Sequence, residues 1–393
     1  MTDAAATKPL AGMKILDFSY LIPGPYGTML LADMGADIIK VENSENPDIV
    51  RLMPPMVDGI SAVYAHLNRG KRSLSLNLKK PEARQIIHRL VREYDVVIEQ
   101  FRPGTMARLG LGYDDLARIN PSLIYCSLSG FGQTGSFSGR AGHDINYLAL
   151  SGVEAISGRR ETGPVLSAIQ IADIASGSKN LVIGVLSAYI HRMHTGRGDS
   201  IDVSITDGVF AMSVFAVAGF LAGGTEPQRE DFLSGGSLYD FYATADGGYL
   251  SVGPIEGKFF AAFCEGIGCP DMAETGIINW NQKKRVAGII AGRPLAHWRE
   301  KFGDMDACVE PVYSVSQAVS NAPLCERAMV VPVRTVAGTE VNQIGNPVKF
   351  GSGHHYAGTA GVPLGHHNDE ILSRLGFSPQ DIDMLKESSA VGR

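Results

Sequence analysis

The first half of the chain alternates between two hydrophobic rhythms, and this alternation constrains the fold more than any other feature. Residues 13–18 (MKILDF), 37–41 (DIIKV), 95–98 and 123–128 are short apolar runs of strand length, and residues 73–78 alternate polar and apolar. Residues 25–35 lie between the first two runs, with Pro25 near the start and Gly35 at the end, the order in which a helix opens and closes. Residues 81–94 open on Pro81 and place Ile86, Ile87, Leu90 and Val91 on one face. Strands separated by helices imply a doubly wound, mostly parallel sheet, so the fold class expected is α/β.

The pattern changes in the middle. Residues 144–156 and 173–194 read as long helices rich in small side chains, 199–205 as a strand and 209–221 as a further apolar helix. From about residue 224 the chain is loop-rich, with a hairpin expected around Ala245-Asp246-Gly247-Gly248 and helical patterns at 258–268, 282–291 and 295–302. A length of 393 residues makes two domains the default. The expected division is a large domain begun by 1–224, a small α+β domain over 225–320, and a segment 321–393 that returns to the large domain and ends in a helix near 379–388.

A net charge of −6 argues against a nucleic-acid partner. No apolar run has the ~18–20 residues of a membrane span. The closest, residues 203–222, is interrupted by Ser204, Thr206, Asp207 and Ser213. The first ten residues lack an apolar signal region and read as a disordered tail. Five scattered cysteines without a CxxC pair suit reduced thiols and a cytoplasmic location.

Several motifs carry chemistry. Gly130-Phe131-Gly132-Gln133-Thr134-Gly135 fits the dinucleotide pattern, but the polar, glycine-rich residues after it do not open a helix, so a flexible turn is the better reading. His143-Asp144 precedes an apolar-periodic segment. Asp144 suits a helix cap there, and the same carboxylate suits orientation of an imidazole for proton transfer. Asp173 opens a later helix, where the dipole favours a carboxylate whether structural or functional. Glu256 lies between a strand and a helix and is an ordinary helix-start residue by itself. The pairs His354-His355 and His366-His367 have no accompanying carboxylate or cysteine ladder, and no metal is expected. Arg69, Lys71, Arg72, Arg102 and Arg108 cluster where a parallel sheet binds ligands, and suit either a phosphorylated ligand or a solvated loop.

The ordered set of landmarks resembles the class III CoA-transferase family (the CaiB/BaiF type), and within it the α-methylacyl-CoA racemases. The landmarks are Leu16-Asp17-Phe18 with Gly24-Pro25, Ala32-Asp33-Met34-Gly35-Ala36-Asp37, Asn68-Arg69-Gly70-Lys71-Arg72, Phe101-Arg102-Pro103-Gly104, Gly130-Phe131-Gly132 and Pro363-Leu364-Gly365. The resemblance implies a Rossmann-like large domain built from both ends of the chain, a smaller α+β domain, and an interlocked homodimer with its active site at the subunit interface. It implies that Lys71, Arg72, Phe101, Arg102 and Arg108 bind the CoA nucleotide and phosphates, with CoA part of the substrate and no separate cofactor. In the family's transferases the Asp matching Asp173 is a nucleophile; in its racemases it is one of two bases. The racemase partner is a His in the sequence found here as Gly142-His143-Asp144-Ile145-Asn146-Tyr147. The resemblance further implies that Asp144 and Glu256 orient and tune His143 and that Tyr147 hydrogen-bonds to the carboxylate. The activity expected is a racemase or epimerase of 2-methylacyl-CoA thioesters, acting by two-base proton transfer through an enolate. The alternative is a transferase moving CoA between carboxylic acids through an aspartyl thioester at Asp173.

Overall fold

The computed structural model describes residues 8–275, 280–353 and 355–392. The first seven residues of the expected tail, and His354 of the first histidine pair, lie outside the described residues. The chain divides into two compact units: one from Met1–Leu150, Ala168–Met212 and Ala322–Arg393, the other from Ser151–Ser167 and Ser213–Asn321.

The first unit is built on six parallel strands: β1 (Lys14–Phe18), β2 (Asp37–Glu42), β3 (Lys71–Ser75), β4 (Val96–Glu99), β5 (Ile124–Ser129) and β6 (Ser200–Ser204). Their order across the sheet is β3-β2-β1-β4-β5-β6. That is the doubly wound dinucleotide-fold order, with the direction of winding reversing between β1 and β4. Crossover helices cover the faces of such a sheet, so its central strands are buried on both sides and read as unbroken apolar runs. All four residues of β4 are buried.

The helix Pro81–Leu90 shows how the sequence rhythm becomes packing. Pro81 opens it, and Ala83, Ile86, Ile87 and Leu90 are its buried residues. They join a core containing Leu16, Leu74 and Val97 from the sheet and Ile371, Leu372, Ile382 and Leu385 from the C-terminal helices. The chain's last segment thus closes one face of the sheet begun by its first.

Buried ion pairs lie beneath that packing. Arg69 and Asp33, both fully buried, form a two-pronged pair at 2.6 and 2.8 Å. Asp33 also accepts the Ala357 N–H at 2.9 Å, and Arg69 donates to the Ile344 carbonyl oxygen at 2.5 Å. This pair joins the N-terminal sheet to the returning chain.

The second unit holds the antiparallel strands Asp240–Ala243, Tyr249–Val252 and Val309–Pro311, the first two forming the expected hairpin. Its aromatic core includes Phe260, Phe263, Trp298 and Phe302. It begins earlier than residue 225, because the apolar stretch after β6 is two helices, Ile205–Met212 and Val214–Gly223, broken at Ser213. It also takes in residues 151–167, because Arg159 pairs with Asp240 and Arg229 donates to the Ser157 carbonyl oxygen at 2.9 Å. Among the described residues no single helix is long and apolar enough to cross a membrane.

Candidate active site

Ligands of open parallel sheets bind beyond the carboxyl ends of the strands, where the winding reverses. Here that place holds two cavities. One of about 290 Å³ is lined by Tyr20 after β1, Gln100, Phe101 and Arg102 after β4, Gly130 after β5 and Ile205 after β6. His143, Tyr147 and Asp173 line the same cavity. The other, of about 590 Å³, is lined by Asn43, Asp48, Lys79 and Arg108 and shares Tyr20, Leu21 and Phe101 with the first. The Tyr20 and Phe101 rings lie 6.1 Å apart between their centroids, a tilted pair common to both cavities.

Asp173 stands in the first turn of a wide, π-helical segment, Ala172–Ser178, that continues into the α-helix Lys179–Thr195. Such segments recur at functional sites. Glycines seat it closely. A Cβ on Gly27 would lie 3.0 Å from the Ser178 carbonyl oxygen, and one on Gly177 would lie 3.2 Å from both Pro23 and Ile205. Burial raises the Asp173 carboxyl to about 7, and the nearby Asp144 charge adds to the rise. A carboxyl near 7 is shared between its acid and base forms at neutral pH, which suits proton transfer.

Asp144 departs from its expected roles. Its Oδ1 accepts the backbone N–H of Asp173 at 2.9 Å. The partner of His143 is Asn146, whose side-chain oxygen accepts the His143 backbone N–H at 3.0 Å, the reciprocal half of a capping box. The His143 side chain is exposed toward the cavity it lines. The helix itself is shorter than the periodicity suggested: it runs Asp144–Leu150 and breaks at Gly152, whose φ is +87°.

Tyr147 also differs from expectation. Its hydroxyl donates to the Gly142 carbonyl oxygen at 2.5 Å, not to a carboxylate. Burial pushes the phenol up to about 12, with the Asp173 charge the next contributor. The ring packs edge-on against Phe131, 5.3 Å between centroids. A Cβ on Gly130 would sit 2.5 Å from its hydroxyl oxygen, and one on Gly142 would lie 2.7 Å from its ring. The glycine motif at 130–135 therefore makes room for Tyr147 and turns the chain at Gly132 (φ +80°) and Gly135 (φ +86°).

The basic cluster divides. Phe101, Arg102 and Arg108 line the cavities. Lys71 does not. Its ammonium is buried and donates to Asp17 (3.1 Å), Thr28 (2.7 Å), Asn68 (2.9 Å) and the Pro25 carbonyl oxygen (3.0 Å). A lysine with four internal partners has no donor left for a phosphate. Burial nonetheless pulls it down to about 8. Arg72 is held by Asp37 at 2.6 and 2.8 Å and by the Tyr94 hydroxyl at 2.9 Å.

Glu256 belongs to the second unit, at the N-cap of the helix Gly257–Gly266. In the remaining histidine pair, His367 accepts the Ser73 N–H through Nδ1 at 3.1 Å. No group of three or more His, Cys, Asp or Glu is placed to hold a metal among the described residues.

Two residues at the end of β4 went unread in the sequence, and the first of them lines the smaller cavity. Gln100 accepts the Gly24 N–H through its side-chain oxygen at 3.0 Å. Glu99, buried at the end of β4, accepts the Phe101 N–H at 2.8 Å and is raised by burial to about 7. Their position, at the end of the strand preceding Phe101 and Arg102, was the available signal.

Known proteins match this chain over nearly its full length. The chain is 34% identical over 395 residues to an α-methylacyl-CoA racemase of Homo sapiens, covering 97% of each. It is 33% identical over 394 residues to a succinate–glutarate CoA-transferase of Agrobacterium fabrum, covering 95% of this chain and 98% of the relative. A crystal structure of a CAIB/BAIF family protein from Brucella suis superposes with a TM-score of 0.82 at 28% identity, covering 94% of this chain and all of that one. The family model for CoA-transferase family III matches residues 10–368. The chain therefore belongs to CoA-transferase family III.

Proposed function

We propose that the protein is a racemase or epimerase of 2-methylacyl-CoA thioesters. The observation that carries this reading is that His143 and Asp173 line one cavity, with the Asp173 carboxyl raised to about 7. In one direction the Asp173 carboxylate takes the α-proton. The C–H electron pair moves into a C=C bond, and charge builds on the thioester oxygen. His143, as imidazolium, then returns a proton to the opposite face. The reverse direction exchanges the two roles. In this reading CoA occupies the larger cavity, with Arg108 toward its phosphates and Phe101 toward its nucleotide, and Arg102 reaches its phosphates from the smaller cavity. Binding energy from that remote part holds the α-carbon between the two bases. Glu256 enters as a partner of His143 from the family resemblance alone. A homodimer is part of the proposal, supported by exposed Ile183, Ile190 and Met193 on one helix and Phe215 and Leu221 on another. The test is incubation of a single-enantiomer 2-methylacyl-CoA in D₂O. Deuterium should enter at the α-carbon with loss of optical purity, and no exchange across a panel of acyl chains would overturn the reading.

The second reading, CoA transfer through Asp173, is supported by the near-equal identity to the Agrobacterium fabrum transferase. It requires the Asp173 carboxylate to attack the thioester carbonyl and expel the CoA thiolate, giving a mixed anhydride. A mass increase on Asp173 after incubation with acyl-CoA, or its trapping by hydroxylamine, would favour it. His143→Ala separates the two, abolishing racemisation while sparing much of a transferase.

A further inference from the structure

Removing an α-proton from a thioester places negative charge on the carbonyl oxygen, and that oxygen needs a hydrogen-bond donor fixed in advance. We propose that the side-chain amide of Gln100 is this donor, an assignment that rests on the racemase reading above.

Three of the cavity's donors are already engaged. The backbone N–H of Asp173, at the start of its helix, is given to the Asp144 carboxylate. The Tyr147 hydroxyl is given to the Gly142 carbonyl oxygen. His143 is assigned to proton transfer. Gln100 lines the same cavity as His143 and Asp173, and among the described residues its amide hydrogens are held by no acceptor.

Its orientation is fixed as well. The Gly24 N–H donates to Oε1 at 3.0 Å, which identifies the oxygen end of the amide and leaves the nitrogen as the other end. Gly24 is the second residue of the helix Pro23–Asp33, so this N–H is one that no helical carbonyl satisfies. Bonding the amide oxygen to the positive end of an eleven-residue helix polarises the amide and strengthens its N–H as a donor. Only glycine permits the contact, because a Cβ at position 24 would lie 2.7 Å from Oε1. Gln100 immediately follows β4, at the point where the winding of the sheet reverses. During the reaction the amide keeps its proton. It donates a hydrogen bond to the oxygen as charge grows there and relaxes when the α-carbon is reprotonated.

Two measurements test the assignment. In the first, Q100L should lower kcat for α-proton exchange by ~10²–10³, with KM little changed, the signature of an interaction made in the transition state. A rise in KM with unchanged kcat would instead make Gln100 a handle for the CoA chain and overturn the proposal. The second needs no turnover. 2,2-Dimethylpropanoyl-CoA, labelled with carbon-13 at the thioester carbonyl, has no α-hydrogen. Its carbonyl stretch should move to lower frequency on binding the wild-type enzyme and return toward its value in water on Q100L. An unshifted carbonyl on the wild type, or the same shift on Q100L, would overturn the proposal. A shift that depends on Gln100 in an enzyme that exchanges no α-proton would keep the donor and discard the racemase reading.

Discussion

The carboxylate of Asp144 and the backbone N–H of Asp173, 29 residues apart in sequence, are joined by a 2.9 Å hydrogen bond. The bond fixes the first turn of the segment carrying Asp173, and the same charge helps raise the Asp173 carboxyl toward 7. D144N separates the two effects, since an amide oxygen still accepts the N–H but carries no charge. The Asp173 pKa should then fall toward the ordinary carboxylate range. If Asp173 acts as a base, the acid limb of kcat/KM for α-proton exchange moves to lower pH in D144N. A limb unchanged in position would mean that the Asp144 charge is screened from the reacting carboxyl.

The raised pKa of Asp173 is also a statement about stability. The folded chain binds this proton up to about pH 7, whereas the unfolded chain releases it near the ordinary value of 3.8. Between those limits the folded state holds more protons, so this group lowers stability as pH rises. Glu99, also raised to about 7, adds a contribution of the same sign. In D173N the first contribution disappears. Thermal unfolding followed from pH 4 to pH 7 should show D173N matching wild type at the acid end and exceeding it at the neutral end. A difference independent of pH would place the effect in packing instead.

Lys71 and Arg102 looked alike in sequence, and the structure gives them different work. Lys71 neutralises Asp17 inside the sheet, while Arg102 lines the cavity with Asp173. Removing one member of a buried ion pair leaves the other uncompensated, at a cost of ~3–5 kcal/mol. K71M should therefore lower the unfolding temperature. R102A and R108A should leave that temperature nearly unchanged and raise KM for acyl-CoA, by a factor that shrinks as salt is added. A normal Tm with a raised KM in K71M would restore Lys71 to the ligand.

The contrast shows what the sequence carried. Apolar rhythm and the Pro and Gly at helix ends made the βα alternation legible, because strands buried on both faces must be apolar throughout. Asp173 was legible as a helix-start carboxylate. What escaped were partnerships across long separations. Lys71 meets an Asp 54 residues earlier, and Asp144 meets an amide 29 residues later. Both depend on which strand ends lie side by side, and periodicity does not report strand order. Gln100 escaped for the same reason: its partner, Gly24, follows β1, the strand beside β4 at the reversal of the sheet.

Gly130 and Gly135 belong to one glycine motif, yet only substitution of Gly130 should lower activity. A methyl group on Gly130 would press on Tyr147, 2.5 Å from its hydroxyl oxygen, and an overpacked contact of this kind costs ~1–3 kcal/mol. Tyr147 cannot yield without disturbing Phe131 or the hydroxyl's bond to the Gly142 carbonyl oxygen, and Gly142 immediately precedes His143. G130A should therefore reduce kcat for proton exchange. At Gly135 there is open space but a φ of +86°, so G135A adds local backbone strain of ~1–2 kcal/mol without touching Tyr147. It should lower stability and leave kcat near the wild-type value. Equal loss of kcat in both variants would mean that the motif acts as one loop around the substrate. Retained activity in G130A would mean that the position of Tyr147 does not bear on His143.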